Sequence, residues 1–581
     1  VAGFLIWRVV RPDASALESA GMALAIGTAL AGLIGSLGAS ISSWAWLLPT
    51  ATALVFATVF ASRFRPRLSA VAFTTGEWWA FGIGLALAAV TLAANLLRYP
   101  LTWTGSWGGF HPDMIFFEAL SRSIAQFGPW ESIFTPGERI LYHWLAYGWS
   151  GQITVATGAE PLVTLTRTLP YVTVVAGLLL VISWSRTLSS VPWVPTLAAV
   201  LFLLSGHVGV VYGSALNFDS PSQSMSAVWI VAWSMTLFFF VRTSGRRKTQ
   251  FVHVALLVAL GAAVMLAKSS AGAVLVCSAV ILALFGVVLR ADWTKRAVAG
   301  AAASSSGAVI VFLAFIWGSQ GAGGISPGSL LDRASSLQGM NPIPGREGII
   351  AGTALVVLAI SLRWASLPFL AIDPASRRGP HTWFAFGLAM SALGGVIVFN
   401  GGQNELWFAA AAIAPLATLS AVATAIAWSR IGPQALDKRR LGLLTLGTIV
   451  LTAGVWVLWL TGPSGGNIWQ GTLRWAAPLV VLTGALVLGA ILARLTGGRT
   501  ALAALAAAAV LATATAASGR LLGVGTPQLG AQPPTRGEFS SMKGVPFDFI
   551  DPEPYREVKS ETLYASVAMK DVGLAGPVAT N

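Results

Sequence analysis

The chain has 581 residues, of which 55% are hydrophobic and only 10% are charged, and its formal net charge is +14. Soluble domains carry about 25% charged residues, so this composition excludes an ordinary soluble enzyme. Apolar runs of about 20 residues, each long enough to cross a hydrocarbon core, recur along nearly the whole chain. We therefore predict an all-α polytopic membrane protein with about 15 transmembrane helices.

The positive charge lies in short clusters of lysine and arginine between the apolar runs. Such clusters are typical of cytoplasmic loops under the positive-inside rule, which explains the net charge without nucleic acid. We expect the lipid bilayer to be a partner and nucleic acid not to be one. The single cysteine, Cys277, excludes an intrachain disulfide.

In chain order, the predicted spans cover residues 17–37, 44–61, 78–97, 162–184, 195–212, 224–241, 251–266, 272–289, 297–317, 348–362, 383–399, 406–428, 441–460, 475–492 and 501–517. The large basic clusters then fall on one side, which we assign to the cytoplasm. Within one multi-span domain, residues 1–518, this assignment makes residues 98–160 a first outer loop with interfacial helices. It makes residues 319–347 a later outer loop. Residues 519–581 form an outer tail, either a stalk truncated before a further domain or a segment packed on the loops.

The first outer loop contains His111-Pro112-Asp113, followed by apolar residues at helical spacing. These apolar positions are Met114, Phe117, Leu120, Ile124 and Phe127. The pattern predicts an amphipathic helix over residues 114–127 that lies in the membrane interface. Asp113 would stand at its N-terminal end, where the helix dipole stabilises a carboxylate. It is therefore either an ordinary helix cap or a functional base.

A second short helix is predicted over residues 140–153, with Tyr142 and His143 at its start. His143 is either a satisfied structural residue or a ligand for a phosphate or hydroxyl of the substrate. Glu118 and Arg122 are four residues apart on the first helix, so they either pair with each other or serve the site.

Cations near the outer face complete the candidate site. Arg167 lies a few residues inside a predicted span, where an ionisable residue indicates function by default, and Lys268 marks the outer junction of two spans. With Asp113 as the catalytic candidate, the candidates for substrate or phosphate binding are His111, Glu118, Arg122, Arg139, Tyr142, His143, Arg167, Lys268 and Arg333.

The sequence names no cofactor. His111, Asp113 and His143 do not have the spacing of a metal motif, so we name no metal ligand and leave a divalent metal as an open alternative. The cytoplasmic loops carry neither a Walker lysine–serine motif nor a dinucleotide glycine fingerprint. That argues against an ATP-driven reaction within this chain.

The block from His111 to Trp144 resembles the GT-C glycosyltransferases, which are integral membrane enzymes that use polyprenyl-phosphate sugars. The shared pattern is an outer-loop Asp after a spanning helix, an interfacial helix, and then Tyr-His at the next helix start. Elsewhere the resemblance covers only the many spans, the later outer loop and the outward tail. In span number the chain looks most similar to the arabinofuranosyl- and mannosyltransferases of actinobacterial envelopes.

The resemblance implies inverting transfer of a sugar from a polyprenyl-phosphate donor to a cell-envelope glycan or lipid acceptor. It places the active face outside the plasma membrane and makes Asp113 the general base. Many members carry a paired acidic motif, whereas here Pro112 precedes Asp113 and Met114 follows it, which puts a metal requirement in doubt.

The chemistry fits the residue types independently of the resemblance. Such a transfer needs a carboxylate to take the acceptor proton and cations to receive the leaving phosphate. Three alternatives stay open: a transporter or flippase of lipid-linked glycans, a glycan polymerase or ligase, and a non-catalytic subunit of an envelope complex.

Overall fold

The computed structural model describes residues 1–42, 74–99, 113–132, 137–205, 215–242, 247–318, 360–398, 406–431, 480–491 and 501–517, together with residue 494 and short stretches between 47 and 55, 354 and 358, and 442 and 454. Within these ranges the regular elements are helices, and none is a strand.

The helices in chain order are α1 Ala2–Val10, α2 Ala16–Ala39, α3 Thr75–Arg98, α4 Asp113–Phe127, α5 Leu145–Thr157, α6 Pro161–Leu188, α7 Val194–Leu204, α8 Pro221–Arg242, α9 Arg247–Ala267, α10 Ser269–Leu289, α11 Thr294–Phe315, α12 Pro380–Val398, α13 Leu406–Ile431, α14 Val480–Ile491 and α15 Ala501–Ala517. Two short helices, Pro368–Ile372 and Pro374–Arg377, precede α12. One turn of α6, Thr164–Thr168, is π-helical.

In the described part of the chain, nine helices are long and apolar enough to cross a membrane, namely α2, α3, α6 and α8 to α13. The prediction of an all-α polytopic membrane protein is confirmed. The predicted spans at 44–61 and 348–362 fall largely outside the described residues, as does about half of the span at 441–460. The later outer loop, 319–347, and the tail, 519–581, lie wholly outside them.

Side chains at the helix starts explain several boundaries. The Ser15 hydroxyl accepts a hydrogen bond from the Glu18 amide at 3.1 Å, so α2 begins with a side-chain cap. Thr74 and Glu77 form a reciprocal capping box at the start of α3. Helix α8 begins at Pro221, and proline suits the first turn of a helix because the N–H that it lacks would have no partner there.

The start predicted for the second short helix is wrong. That helix, α5, begins at Leu145, and Tyr142 and His143 lie in the irregular segment before it. The Ile140 amide donates to the Pro129 carbonyl at 3.0 Å. This bond ties the segment back to the end of α4, so its backbone is not free to form helical bonds.

Helix α8 is the centre of the bundle. Its whole apolar stretch is buried, and that of α13 nearly so. Trp229 of α8 donates its indole N–H to Thr28 of α2 at 3.1 Å, and Trp233 donates to Ser304 of α11 at 2.8 Å. A buried indole N–H needs a hydrogen-bond partner, so these bonds satisfy both indoles and also hold α2 and α11 against α8.

The basic helix ends meet at one end of this bundle. Arg296 at the start of α11 donates to the Val241 carbonyl at the end of α8, at 3.2 Å. The indole of Trp293 donates to the Arg378 carbonyl just before α12, at 3.1 Å. The arginine-rich turns that the sequence assigns to one side are thus neighbours in space.

Asp113 and Lys268 lie at the opposite end. Helix α9 has 21 residues and separates the basic end from Lys268 by about 30 Å. Lys268 there contacts Trp407 of α13, and Phe315 at the end of α11 contacts Trp144, with 5.4 Å between ring centroids. The turn before α5, the α9–α10 junction and the start of α13 therefore share one end of the bundle.

Glycines allow α5 to pack closely against α4 and α2. A Cβ at Gly151 would overlap the carbonyl oxygen of Ser121 on α4, and one at Gly148 would overlap the hydroxyl of Ser36 on α2. Only a residue without a Cβ permits these approaches. The close packing stacks Tyr147 of α5 on Phe117 of α4, with 4.7 Å between ring centroids, and so fixes the start of α4 against α5.

We expect Gly151→Ala to lower the free energy of unfolding by about 1–3 kcal/mol, because the added methyl group forces α4 away from α5. Thermal unfolding in detergent measures the change. The matched control is Gly27→Ala in α2, where a Cβ meets no heavy atom within 4 Å. Equal melting temperatures for the two variants would contradict the close-packing interpretation.

Candidate active site

Asp113 is the first residue of α4, and its side chain is exposed. The predicted amphipathic pattern is confirmed at Met114, Phe117, Leu120 and Ile124, which are buried. Burial of this apolar face against the bundle leaves the N-terminal end of α4 at the surface.

Aromatic rings lie on one side of Asp113. The rings of Tyr142 and His143 are stacked with 3.8 Å between centroids, and Phe116 meets Tyr142 edge-on at 5.6 Å. Tyr147 lies 6.1 Å from Tyr142. The charge of Asp113 reaches both phenols. The rings therefore form one wall of a site whose acid is Asp113.

Both phenols stay neutral. Burial, followed by the charge of Asp113, raises the pKa of Tyr142 above its usual range. Burial also raises the pKa of Tyr147, which interacts with Tyr142 and with Ser222 at the start of α8. Each tyrosine keeps its proton at neutral pH and can act as a hydrogen-bond donor there.

Lys268 brings the cation to this site from the α9–α10 junction. Its Nζ lies 4.3 Å from the centroid of the Trp407 ring. Burial lowers the pKa of Lys268 to about 8, while the negative charge of Asp113 acts in the opposite direction. Asp113 and Lys268, which are distant in sequence, are thus close enough for the charge of Asp113 to act on the amine of Lys268.

His143, which is stacked on Tyr142, also lies near the cation. Burial and the charge of Lys268 together lower the pKa of His143 well below its usual value, so the imidazole is neutral. Its Nε2 is buried and has no hydrogen-bond partner in the described ranges. A buried, unpaired ring nitrogen is costly unless a ligand satisfies it.

Four predicted residues therefore meet at one place: Asp113, Tyr142, His143 and Lys268. Glu118 and Arg122 pair with each other on α4, with 3.1 Å between Nη2 and Oε1. Arg139 is exposed on the loop before α5. His111 and Arg333 lie outside the described residues.

Arg167 belongs to a separate group. It lies in the π-helical turn of α6 and donates to the carbonyls of Thr166 and Tyr99. Tyr99 follows the last residue of α3, so the guanidinium caps the end of that helix. The Tyr99 hydroxyl in turn donates to Asp219 at 2.6 Å. The contacts of Arg167 are thus to backbone carbonyls rather than to the Asp113 site, and its predicted role in binding stays a prediction.

Trp407 and Tyr147 are not among the site candidates predicted from the sequence. Trp407 opens a predicted span on the same side as Lys268, which is the sequence signal that points to it. Tyr147 follows the Tyr142-His143 pair on the helix that this pair precedes. No three His, Cys, Asp or Glu side chains come together within the part of the chain described, so we assign no metal ligand.

We expect Asp113→Asn to lower the pKa of Lys268 below about 8, because the substitution removes the negative charge that favours the ammonium. Competitive acylation of the Lys268 amine over a series of pH values, read by mass spectrometry, measures this pKa. Glu118→Gln is the control, since Glu118 pairs with Arg122. The same lysine pKa in both variants would show that Asp113 and Lys268 are not coupled.

The chain is similar to the structure of ArnT from Cupriavidus metallidurans bound to undecaprenyl phosphate, with 16% identity and a TM-score of 0.36 over 78% of this chain and 77% of that one. It is also similar to the archaeal oligosaccharyltransferase AglB from Archaeoglobus fulgidus, solved with an inhibitory peptide and a dolichol-phosphate. That match has 16% identity and a TM-score of 0.42 over 83% of this chain. The chain spans only 59% of the length of AglB.

No family model and no curated protein matches the sequence. Neither structural match tests the expected likeness to actinobacterial arabinofuranosyl- and mannosyltransferases, which stays a prediction. Because both TM-scores are low, the functional proposal depends on this chain's own residues.

Proposed function

We propose that this protein is an inverting membrane glycosyltransferase that moves a sugar from a polyprenyl-phosphate donor to a cell-envelope glycan or lipid acceptor. The observation that carries the proposal is the meeting of an exposed carboxylate, Asp113, with a partly buried cation, Lys268, beside neutral hydrogen-bonding groups. A base for the acceptor hydroxyl and a cation for the leaving phosphate are the two groups that this reaction requires.

Asp113 is the general base. Its carboxylate takes the proton of the acceptor hydroxyl as that oxygen forms a bond to the anomeric carbon of the donor. The bond from that carbon to the phosphate oxygen breaks, and the polyprenyl phosphate leaves with the electron pair. Asp113 then returns the proton to water, which its exposure permits.

Lys268 receives the leaving phosphate. Arg122 is engaged by Glu118, whereas Lys268 forms no ion pair with a carboxylate among the described residues. An ammonium in a partly buried setting attracts an anion more strongly than one in open water. Tyr142 can add a neutral donor, and the unpaired Nε2 of His143 can bond to a substrate oxygen.

The active face is extracytoplasmic in this proposal. The basic helix ends meet at the opposite end of the bundle from Asp113, and the positive-inside rule assigns basic ends to the cytoplasm. The site then lies at the outer face of the plasma membrane, where a polyprenyl chain can stay in the bilayer while its phosphate meets Lys268.

The distribution of charge favours this reaction over transport. Transporters typically bind their substrates near the bilayer midplane. In the described spans, the Asp, Glu, Lys and Arg residues all lie within about two turns of a helix end. The helix centres therefore offer no charged site along a path across the membrane.

We expect Asp113→Asn to reduce kcat for glycosyl transfer by about 100-fold to 10,000-fold, because asparagine keeps the shape but cannot accept the proton. The assay uses purified protein with a polyprenyl-phosphate sugar. The control is Glu138→Gln, which neutralises an exposed carboxylate on the loop before α5.

Undiminished turnover by Asp113→Asn would remove Asp113 from the mechanism. Reconstitution of the same protein into liposomes distinguishes a glycosyltransferase from the main rival, a transporter. Movement of a labelled lipid-linked sugar across the bilayer without covalent transfer would contradict the glycosyltransferase proposal and favour a transporter.

A further inference from the structure

We propose that Trp407 is a positioning residue that holds the ammonium of Lys268 over its ring, ready to bind the phosphate of a polyprenyl phosphate. The identity of this ligand rests on the proposed function. The placement of the ammonium rests on geometry alone, because Nζ lies 4.3 Å from the ring centroid. That distance is within the range of a cation–π interaction, for which tryptophan is the strongest aromatic partner.

The backbone at Lys268 is fixed on both sides. Its amide donates to the Val264 carbonyl of α9 at 3.0 Å, and its carbonyl accepts from the Gly272 amide of α10 at 3.0 Å. Lys268 is the N-cap residue of α10 and has an extended backbone. Only the side chain can therefore change direction, and the Trp407 ring is a contact that holds its ammonium in this position.

An aromatic partner leaves the ammonium able to bind an anion. A carboxylate partner would neutralise the charge, as Glu118 does for Arg122. The face of an indole attracts the cation without cancelling its charge and occupies only one side of a group with three N–H donors. The arrangement thus keeps Lys268 in place and leaves donors of its ammonium available to an anion.

Two titratable groups face Lys268 within the described chain: Asp113 from α4 and His143 from the segment before α5. The described ends of α11, α12 and α13 on this side add no further charged residue. His143 is neutral, so the negative charge of Asp113 and the Trp407 ring both favour the protonated lysine, while burial opposes it.

The protonation of Lys268 determines how phosphate binding depends on pH. Burial lowers the pKa of Lys268 to about 8. Below this pH the amine is protonated and attracts phosphate, and as the pH rises through this value the charge and the attraction are lost. Removing the Trp407 ring removes one of the two interactions that favour the protonated lysine. The attraction for phosphate should then be lost at a lower pH.

The test measures binding of farnesyl phosphate, a short polyprenyl monophosphate, to the full chain in nanodiscs between about pH 6 and about pH 10, which spans the lysine titration. We expect Trp407→Leu to shift the alkaline midpoint of binding downward by about one pH unit. Trp407→Phe keeps a ring and should shift it less. The matched control is Trp317→Leu, which removes an exposed tryptophan that follows α11 and should leave the midpoint unchanged.

Two lysine variants complete the design. Lys268→Gln should lose most of the affinity at neutral pH, and Lys268→Arg should bind without an alkaline midpoint in this range, because a guanidinium stays charged. If Trp407→Leu weakens binding by the same factor at every pH, Trp407 is only structural and the proposal is overturned. Unchanged binding by Lys268→Gln overturns it as well.

Failure of this inference is distinguishable from failure of the proposed function. Farnesyl phosphate binding requires no sugar transfer, so the expected midpoint shift can be observed in a protein that transfers no sugar. Conversely, transfer that depends on Asp113 but is insensitive to Trp407→Leu across the pH range would retain the glycosyltransferase and exclude Trp407 from it.

Discussion

The cost of placing charge in hydrocarbon determines where chemistry can take place in this chain. The Asp, Glu, Lys and Arg residues of the described spans lie near helix ends, and packing around α8 sorts those ends into two groups. At one end, Arg296 and Trp293 bond to backbone carbonyls of neighbouring helices and hold the bundle together. At the other end, Asp113 is exposed and Lys268 is only partly covered. The bundle thus has a structural end and an end that can receive a ligand.

Close packing converts this second end into a defined site. Gly148 and Gly151 let α5 approach α2 and α4 to distances that any side chain would prevent. The approach brings Tyr147 into the neighbourhood of Asp113, and the irregular segment before α5 adds Tyr142 to the same wall. The site therefore depends on backbone contacts away from any reacting group, which is typical of helix packing between small residues in membranes.

Three cations illustrate how partners determine what a charge can do. Arg122 pairs with a carboxylate, and Arg167 bonds to backbone carbonyls at the end of α3. Lys268 alone of the three rests on an aromatic ring. A carboxylate cancels charge, whereas a ring stabilises it without cancelling it. The combination of Lys268 with Asp113 and a neutral His143 is therefore suited to an anionic ligand that arrives with a hydroxyl acceptor.

The fold class, most spans of the described chain and the apolar face of α4 could be predicted from the amino-acid sequence, because hydrophobic periodicity is local and lipid allows few alternatives. Asp113 and Lys268 could be recognised as well, since polar residues at span junctions are conspicuous in such a composition. The start of α5 after His143, which the bond from Ile140 to Pro129 explains, and the contact of Lys268 with Trp407 are visible only in the folded protein. These contacts depend on which helix ends are neighbours, and neighbouring ends leave no periodic signal in the chain.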